Sequence, residues 1–229
     1  MSRVSVPKPD CPVPPPLPKR IWLKLRRTYL DLTGPKIDPE WRRALSMSRS
    51  IPGWLNPEQK RWLFDAACNL PSETTIVEIG SFKGLSTCFL ASGCRGTSKL
   101  VFAVDTFNGN DVDFGHRDFF NEFSANIERT GLSHYVRPVV GISWEVAKTW
   151  KEPIHLLFID GSHRYEDVLR DFEGFFPHVV PGGLVAFHDV GEEDWPGPLR
   201  AWNDTFSKRL VKTGHCSTLA YGYKPEEKP

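Results

Sequence analysis

Three features of the sequence predict an α/β fold built on a doubly wound, mostly parallel sheet with helices on both faces. From residue 75 onward, apolar runs alternate with segments of helical period. The apolar runs are nearly continuous, as in strands that are buried on both faces. The first run breaks at a glycine turn, VEIGSFKGLS at 77–86, as a chain does when a strand turns sharply into a helix.

The strand-like runs are TIVEIG, KLVFAVD, YVRPVVG, IHLLFID and GGLVAFHD. Helical segments are expected between them near 84–94, 116–130, 143–150 and 163–177. The last is the clearest, because Tyr165, Val168, Leu169, Phe172, Phe175 and Phe176 recur at helical spacing. Two more helices are expected before the first strand. Asp38 and Asn56 stand as caps, with Pro39 and Pro57 at the first helical positions. In the second, Trp62, Leu63, Ala66, Ala67 and Leu70 form one apolar stripe that is expected to pack on the sheet. After the fifth strand, HCSTLAYGY reads as one strand of an antiparallel pair, and RLVKT is a weak candidate for the other.

Residues 1–18 carry seven prolines and read as an extended or disordered tail. KRIWLKLRRTYLDL follows, a basic amphipathic helix expected to pack on the neighbouring domain. The expected organisation is a tail at 1–18, N-terminal helices over 19–70, the main domain over 71–223 and a short tail at 224–229.

The bulk properties bound the function. Lys plus Arg is 29 and Asp plus Glu is 28, so no nucleic acid or strongly acidic partner is demanded. No apolar run approaches the ~20 residues that cross a bilayer, and the N-terminus lacks the apolar core of a signal peptide. The five cysteines form no CxxC pair and read as reduced thiols. Together these predict a cytoplasmic protein, with exposed aromatics in the N-terminal helices permitting a homo-oligomer.

In a parallel sheet, ligands bind at the carboxyl ends of the strands. The first strand ends Glu78-Ile79-Gly80-Ser81-Phe82-Lys83-Gly84. This is not the GxxxxGK[ST] of a phosphate loop. Nor is it GxGxxG, because Ser81-Phe82 replaces the middle glycine that lets a pyrophosphate approach. The turn suits a flatter ligand without pyrophosphate. The second strand ends in Asp105, 21 residues past Gly84, about where a ribose-binding acid is expected. The third ends VVGISWE, where Ser143 could donate to an adenine edge, Trp144 could cover its face, and Ser143 could also cap a helix. The fourth ends IDGSHRY, with Asp160 and His163, and the fifth ends His188-Asp189.

These residues carry a family resemblance. VEIGSFKGLST and IDGSHRYEDVLRDFEGFFPHVVPGGLVAFHDV resemble the class I S-adenosylmethionine-dependent methyltransferases, which have a Rossmann-like sheet. The likeness is greatest to the branch that holds macrolide sugar O-methyltransferases and cephalosporin-hydroxylase-like proteins. It covers about half the chain. It implies that Gly80, Phe82 and Ser86 meet the methionine end of S-adenosylmethionine, that Asp105 holds the ribose and that Ser143 holds the adenine. Glu78, Ser81, Gly84, Thr106 and Asp160 belong to the same implied cofactor site. It also implies a divalent ion, Mg²⁺ or Mn²⁺, at Asp160 and the pair 188–189, and a catalytic base at His163. The chain departs from the pattern at His188, where those relatives carry an acidic residue.

The implied chemistry is physically coherent. The sulfonium is already a good leaving group, so the protein must align two reactants and remove a proton from a hydroxyl. Asp160 and Asp189 offer hard oxygen ligands, as Mg²⁺ prefers, and a nitrogen from His188 shifts the preference toward Mn²⁺, Fe²⁺ or Zn²⁺. Strand alternation would turn His188 and Asp189 to opposite faces unless the strand has ended, which favours Asp189 as a ligand. His163 is expected in the first turn of a helix, whose dipole would keep it neutral and basic. The expected activity is therefore O-methylation of a small hydroxylated acceptor such as a sugar. Two other readings are an iron oxygenase using His163, His188 and an aspartate, and a catalytically silent cofactor-binding protein. Part of residues 106–131, including His116 and several phenylalanines, is expected to cover the pocket.

Overall fold

The computed structural model describes residues 38–109 and 118–226. The proline-rich segment, the basic helix at 19–32, Cys11 and His116 lie outside the described residues. All described residues except Asp38 belong to one compact unit, Pro39–Pro229.

Two helices come first, α1 (Pro39–Met47) and α2 (Pro57–Cys68). The start of α2 is a reciprocal cap: Asn56 Oδ1 accepts from the Gln59 amide and Gln59 Oε1 accepts from the Asn56 amide, each at 2.9 Å. The apolar stripe of α2 is buried as expected, but it packs mainly on helix α3 (Leu85–Ser92) rather than on the sheet. Then come β1 (Thr75–Ile79), α3, β2 (Leu100–Asp105), α4 (Phe120–Arg129), β3 (Val136–Val140), α5 (Ser143–Thr149) and β4 (Ile154–Ile159). The chain continues through α6 (Tyr165–Phe175), β5 (Val179–Phe187), α7 (Pro196–Ala201), β6 (Val211–Cys216) and β7 (Leu219–Tyr223).

The seven strands lie in the order β3-β2-β1-β4-β5-β7-β6. The first five are parallel, and β7 and β6 close the sheet antiparallel. Alternate strand residues feed two cores. Ile76, Ala103, Leu156 and Phe158 face α1 to α4, while Val77, Val104, Leu157 and Phe187 face α5, α6 and α7. This is the doubly wound sheet the periodicity predicts. The last strands differ from expectation. HCSTLAYGY is not one strand, because it turns at Ser217-Thr218, and Val211–Cys216 forms the partner strand in full. Ser217 has φ +55°, a left-handed conformation that ends β6 and starts the return.

Strand order reverses between β1 and β4, the switch point where such sheets bind ligands. Ladder hydrogen bonds run past the strand ends there. Gly80 N bonds Val104 O, Gly141 N bonds Asp105 O, Asp160 N bonds Ile79 O and His188 N bonds Ile159 O, at 2.8–3.0 Å. The five strand ends are thus held side by side. No helix of the described residues is long and apolar enough to cross a membrane. Cys68, Cys88, Cys94 and Cys216 are free thiols.

Candidate active site

A cavity of about 870 Å³ opens at this switch point. Gly80, Ser81, Phe82 and Ser86 line it from the β1 turn, and Asp105 and Thr106 from the end of β2. Ser143 lines it beyond β3, and Asp160, His163, His188 and Asp189 line its other half. Two further residues expected at the cofactor, Glu78 and Gly84, do not reach the cavity. They shape the turn from behind.

Gly80 has φ +86°, and a Cβ there would stand 2.1 Å from the carbonyl oxygen of Asp160. Only glycine lets β1 turn this close to β4. Asp105 then fixes the turn. Its Oδ2 accepts from the Ser81 and Phe82 amides at 2.7 and 2.8 Å, and its Oδ1 accepts from the Phe107 amide at 2.7 Å. Phe82 and Phe107 both have positive φ, +46° and +56°. Such backbone costs ~1–3 kcal/mol per residue, which the three charge-assisted bonds offset. The Phe82 ring packs 4.8 Å edge-on to Phe119 and 5.5 Å from Trp54.

Glu78 lies beneath, fully buried. Its Oε2 accepts from Ser81 Oγ and Thr87 Oγ1, while Oε1 has no partner. Burial pushes this acid up to about 7, against the pull of its hydroxyl donors.

Ser143 is not a cap. Ile142 holds that position, and Ser143 is the first residue of α5. Its hydroxyl does not point to an empty edge either, because it donates to Asp171 Oδ1. Asp171 also lines the cavity and is 2% exposed. Burial pushes its acid up to about 7, with Ser143 opposing and Asp167 adding to the rise.

The other half of the site is a chain of acids and histidines. β5 ends at Phe187, and Asp189 has φ +57°. Strand alternation has therefore stopped, and His188 and Asp189 converge instead of facing apart. His188 Nδ1 lies 3.1 Å from Asp160 Oδ1 and 3.0 Å from Asp189 Oδ1. Burial alone would lower the His188 pKa, but the two carboxylates raise it to about 10. Burial raises Asp160, with His188 opposing. Asp189 is held well below the ordinary range, because bonds from His163 and His188 outweigh its burial.

His163 does not sit in the first turn of a helix. Arg164 is the N-cap of α6, and His163 precedes it in the loop. Its electrostatic neighbour is a carboxylate: Nε2 lies 2.8 Å from Asp189 Oδ2. Trp195 stacks on the imidazole at 4.4 Å and 28°. The segment carrying Trp195 is seated by Gly197, where a Cβ would meet the His163 carbonyl oxygen at 2.1 Å. Trp195 and Asp171 were missed by the sequence reading. Asp171 had a signal: it falls on the apolar stripe of α6, between Val168 and Phe175.

A divalent ion is the group the resemblance implies. The ligand atoms of Asp160, His188 and Asp189 lie within 4.8 Å of one another. Neighbouring donors around an octahedral ion with ~2.1 Å bonds stand about 3 Å apart, a spacing the two contacts of His188 Nδ1 match, but an ion would first have to displace the Nδ1 proton that the two carboxylates hold. His163 is not in that group, so two histidines and one carboxylate are not assembled as an iron oxygenase would need.

Comparison with known proteins agrees with this architecture. Residues 77–190 match the family model of a methyltransferase domain. An uncharacterized protein of Sinorhizobium fredii is 35% identical over 125 residues, 50% of this chain and 13% of that one. Demethylmacrocin O-methyltransferase of Streptomyces fradiae is 44% identical over 77 residues, 34% of this chain and 19% of the relative. The chain thus spans only a minor part of these two relatives. An O-methyltransferase from Bacillus cereus, solved with S-adenosylhomocysteine, superposes with a TM-score of 0.60 at 18% identity, covering 90% of this chain and 99% of its own. By its sheet, its strand-end site and the match over residues 77–190, the chain belongs to the class I S-adenosylmethionine-dependent methyltransferases, in the branch that includes the macrolide sugar O-methyltransferases.

Proposed function

We propose that this chain is an O-methyltransferase that moves the methyl group of S-adenosylmethionine to a hydroxyl of a small molecule, such as a sugar. The observation that carries this reading is the single cavity shared by the Gly80–Asp105 turn and the His163–Asp189 pair. One half is shaped for a cofactor without pyrophosphate, and the other holds a base beside it.

In this reading the turn seats the methionine end, and Asp105 shapes the ribose subsite. Three amides already occupy much of the Asp105 carboxylate, so it acts first by holding the turn. Asp189 accepts the Nε2 proton of His163, which leaves Nδ1 as the basic nitrogen. Trp195 fixes the plane of the ring. His163 then takes the acceptor hydroxyl proton as the oxygen attacks the methyl carbon, and the sulfur leaves with the bonding pair. Asp160, His188 and Asp189 would hold a divalent ion, which when bound orients the acceptor hydroxyl and makes it more acidic.

The test is methyl transfer from labelled S-adenosylmethionine to a panel of hydroxylated glycosides and phenols, with and without Mg²⁺ or Mn²⁺. Methylation of at least one acceptor is expected, with the label alkali-stable as an ether. Transfer only to amines or nucleic acid would overturn the O-methyltransferase reading.

A further inference from the structure

We propose that Gln59 and Thr218 are positioning residues for the His163–Asp189 pair: the hydrogen bond between their side chains holds the turn that aims Asp189 at His163. The catalytic consequence of this link rests on the function proposed above; the link itself does not.

β5 leaves its ladder just before this pair. Its last partner on β7 is Ala220, opposite Phe187. Asp189 then takes its left-handed backbone, and Val190 N donates to Thr218 O at 2.8 Å. On the other side His188 N donates to Ile159 O at 3.0 Å. Asp189 thus stands between two backbone anchors, and Thr218 is one of them. Left-handed backbone at a residue other than glycine persists only where its surroundings hold it.

Thr218 needs an anchor of its own. It lies in the turn between β7 and β6, the edge strand of the sheet, directly after the left-handed Ser217. Turns at a sheet edge open easily unless they are tied down. Here the tie comes from α2: Gln59 Nε2 donates to Thr218 Oγ1 at 3.0 Å, across 159 residues of chain. Gln59 is a firm post, 2% exposed, with its Oε1 engaged by the Asn56 amide. That cap uses only the oxygen of the side chain, and glutamate would serve it equally. The bond from Nε2 adds nothing to the helix. It joins two residues that line the same cavity as His163 and Asp189.

The experiment follows the Nε2 proton of His163 by NMR of the histidine-labelled chain, with His163→Ala assigning the signal. A resolved signal is expected from the wild type, because a bond to a carboxylate slows exchange with water. Thr218→Val keeps the volume, the carbonyl and the cap of α2 but gives Gln59 no acceptor, and should lose the signal to exchange. Thr218→Ser restores the hydroxyl and should keep it. Gln59→Met is read like the valine variant if that one does not fold. With a methylated acceptor, turnover in Thr218→Val should fall about 2–10-fold, the effect of one hydrogen bond, with affinity for S-adenosylhomocysteine unchanged. An undiminished signal in Thr218→Val would overturn the proposal, as would equal loss in Thr218→Ser or no signal from the wild type. Loss of the signal with wild-type turnover would uphold the link and overturn His163 as the base.

Discussion

His163 and Asp189, 26 residues apart in the chain, meet through a 2.8 Å hydrogen bond between Nε2 and Oδ2. The pair joins the loop after β4 to the loop after β5, and Trp195 closes it from one side. A carboxylate in this place sets the histidine tautomer and its orientation. His163→Ala should lower turnover about 10²–10⁴-fold, the usual contribution of a general base. Affinity for S-adenosylhomocysteine should stay unchanged, because His163 lies in the other half of the cavity. Kinetics with a methylated acceptor, together with calorimetry, check both parts. Wild-type turnover in this variant would remove His163 from the chemistry.

Trp195 makes a separable prediction. Its indole stacks on the imidazole without accepting or donating its proton. Trp195→Ala should lower turnover, and Trp195→Phe should restore most of it, because any flat ring can hold the plane. Such a stack is worth about 0.5–1.5 kcal/mol. A pH profile of the same shape in all three proteins would agree with a positioning role.

Asp105 bears on the cofactor half. Asp105→Ala removes three charge-assisted bonds to the Ser81, Phe82 and Phe107 amides. The turn holds positive-φ residues and will relax without them. S-adenosylhomocysteine binding should weaken by at least about 1.5–3 kcal/mol. Asp105→Asn should be intermediate, since its amide accepts with one oxygen only. Unchanged affinity in the alanine variant would contradict this account of the turn.

Glu78 predicts a pH dependence of stability. Its pKa is raised from 4.5 to about 7 by burial. The folded state therefore holds this proton more tightly than the unfolded state does. Stability is full below about pH 4.5, falls as pH rises, and levels off above about 7. The shift corresponds to about 3 kcal/mol. Asp171 adds a slope of the same sign over a similar window. Glu78→Gln should therefore flatten, but not abolish, the decline seen by urea unfolding between pH 4.5 and 8. An identical slope in both proteins would contradict the burial argument.

Much of this was legible in the sequence, and the parts that were not share a physical reason. Apolar runs and helical period fix which segments pair with which faces, so the parallel strands and most helices were readable. The glycine turn and the strand-end acids were readable because their spacing is local. The bonds from the Ser81 and Phe82 amides to Asp105, and from Ser143 to Asp171, were not, since these partners lie 23 or more residues apart. His188 and Asp189 were expected to face apart unless the strand had ended, and it ends at Phe187. They converge because Asp189 adopts a left-handed backbone, which aspartate tolerates better than most residues but does not require. The β6–β7 hairpin was misread for the same reason, at Ser217.

Every role proposed above requires that the cavity at the Gly80 turn take S-adenosylmethionine. The most direct test of this is calorimetric titration of the wild-type chain with S-adenosylhomocysteine and, separately, with NAD. One S-adenosylhomocysteine bound per chain and no measurable heat with NAD are expected, because Phe82 stands where a pyrophosphate needs glycine. Tight NAD binding, or no binding of S-adenosylhomocysteine, would contradict it.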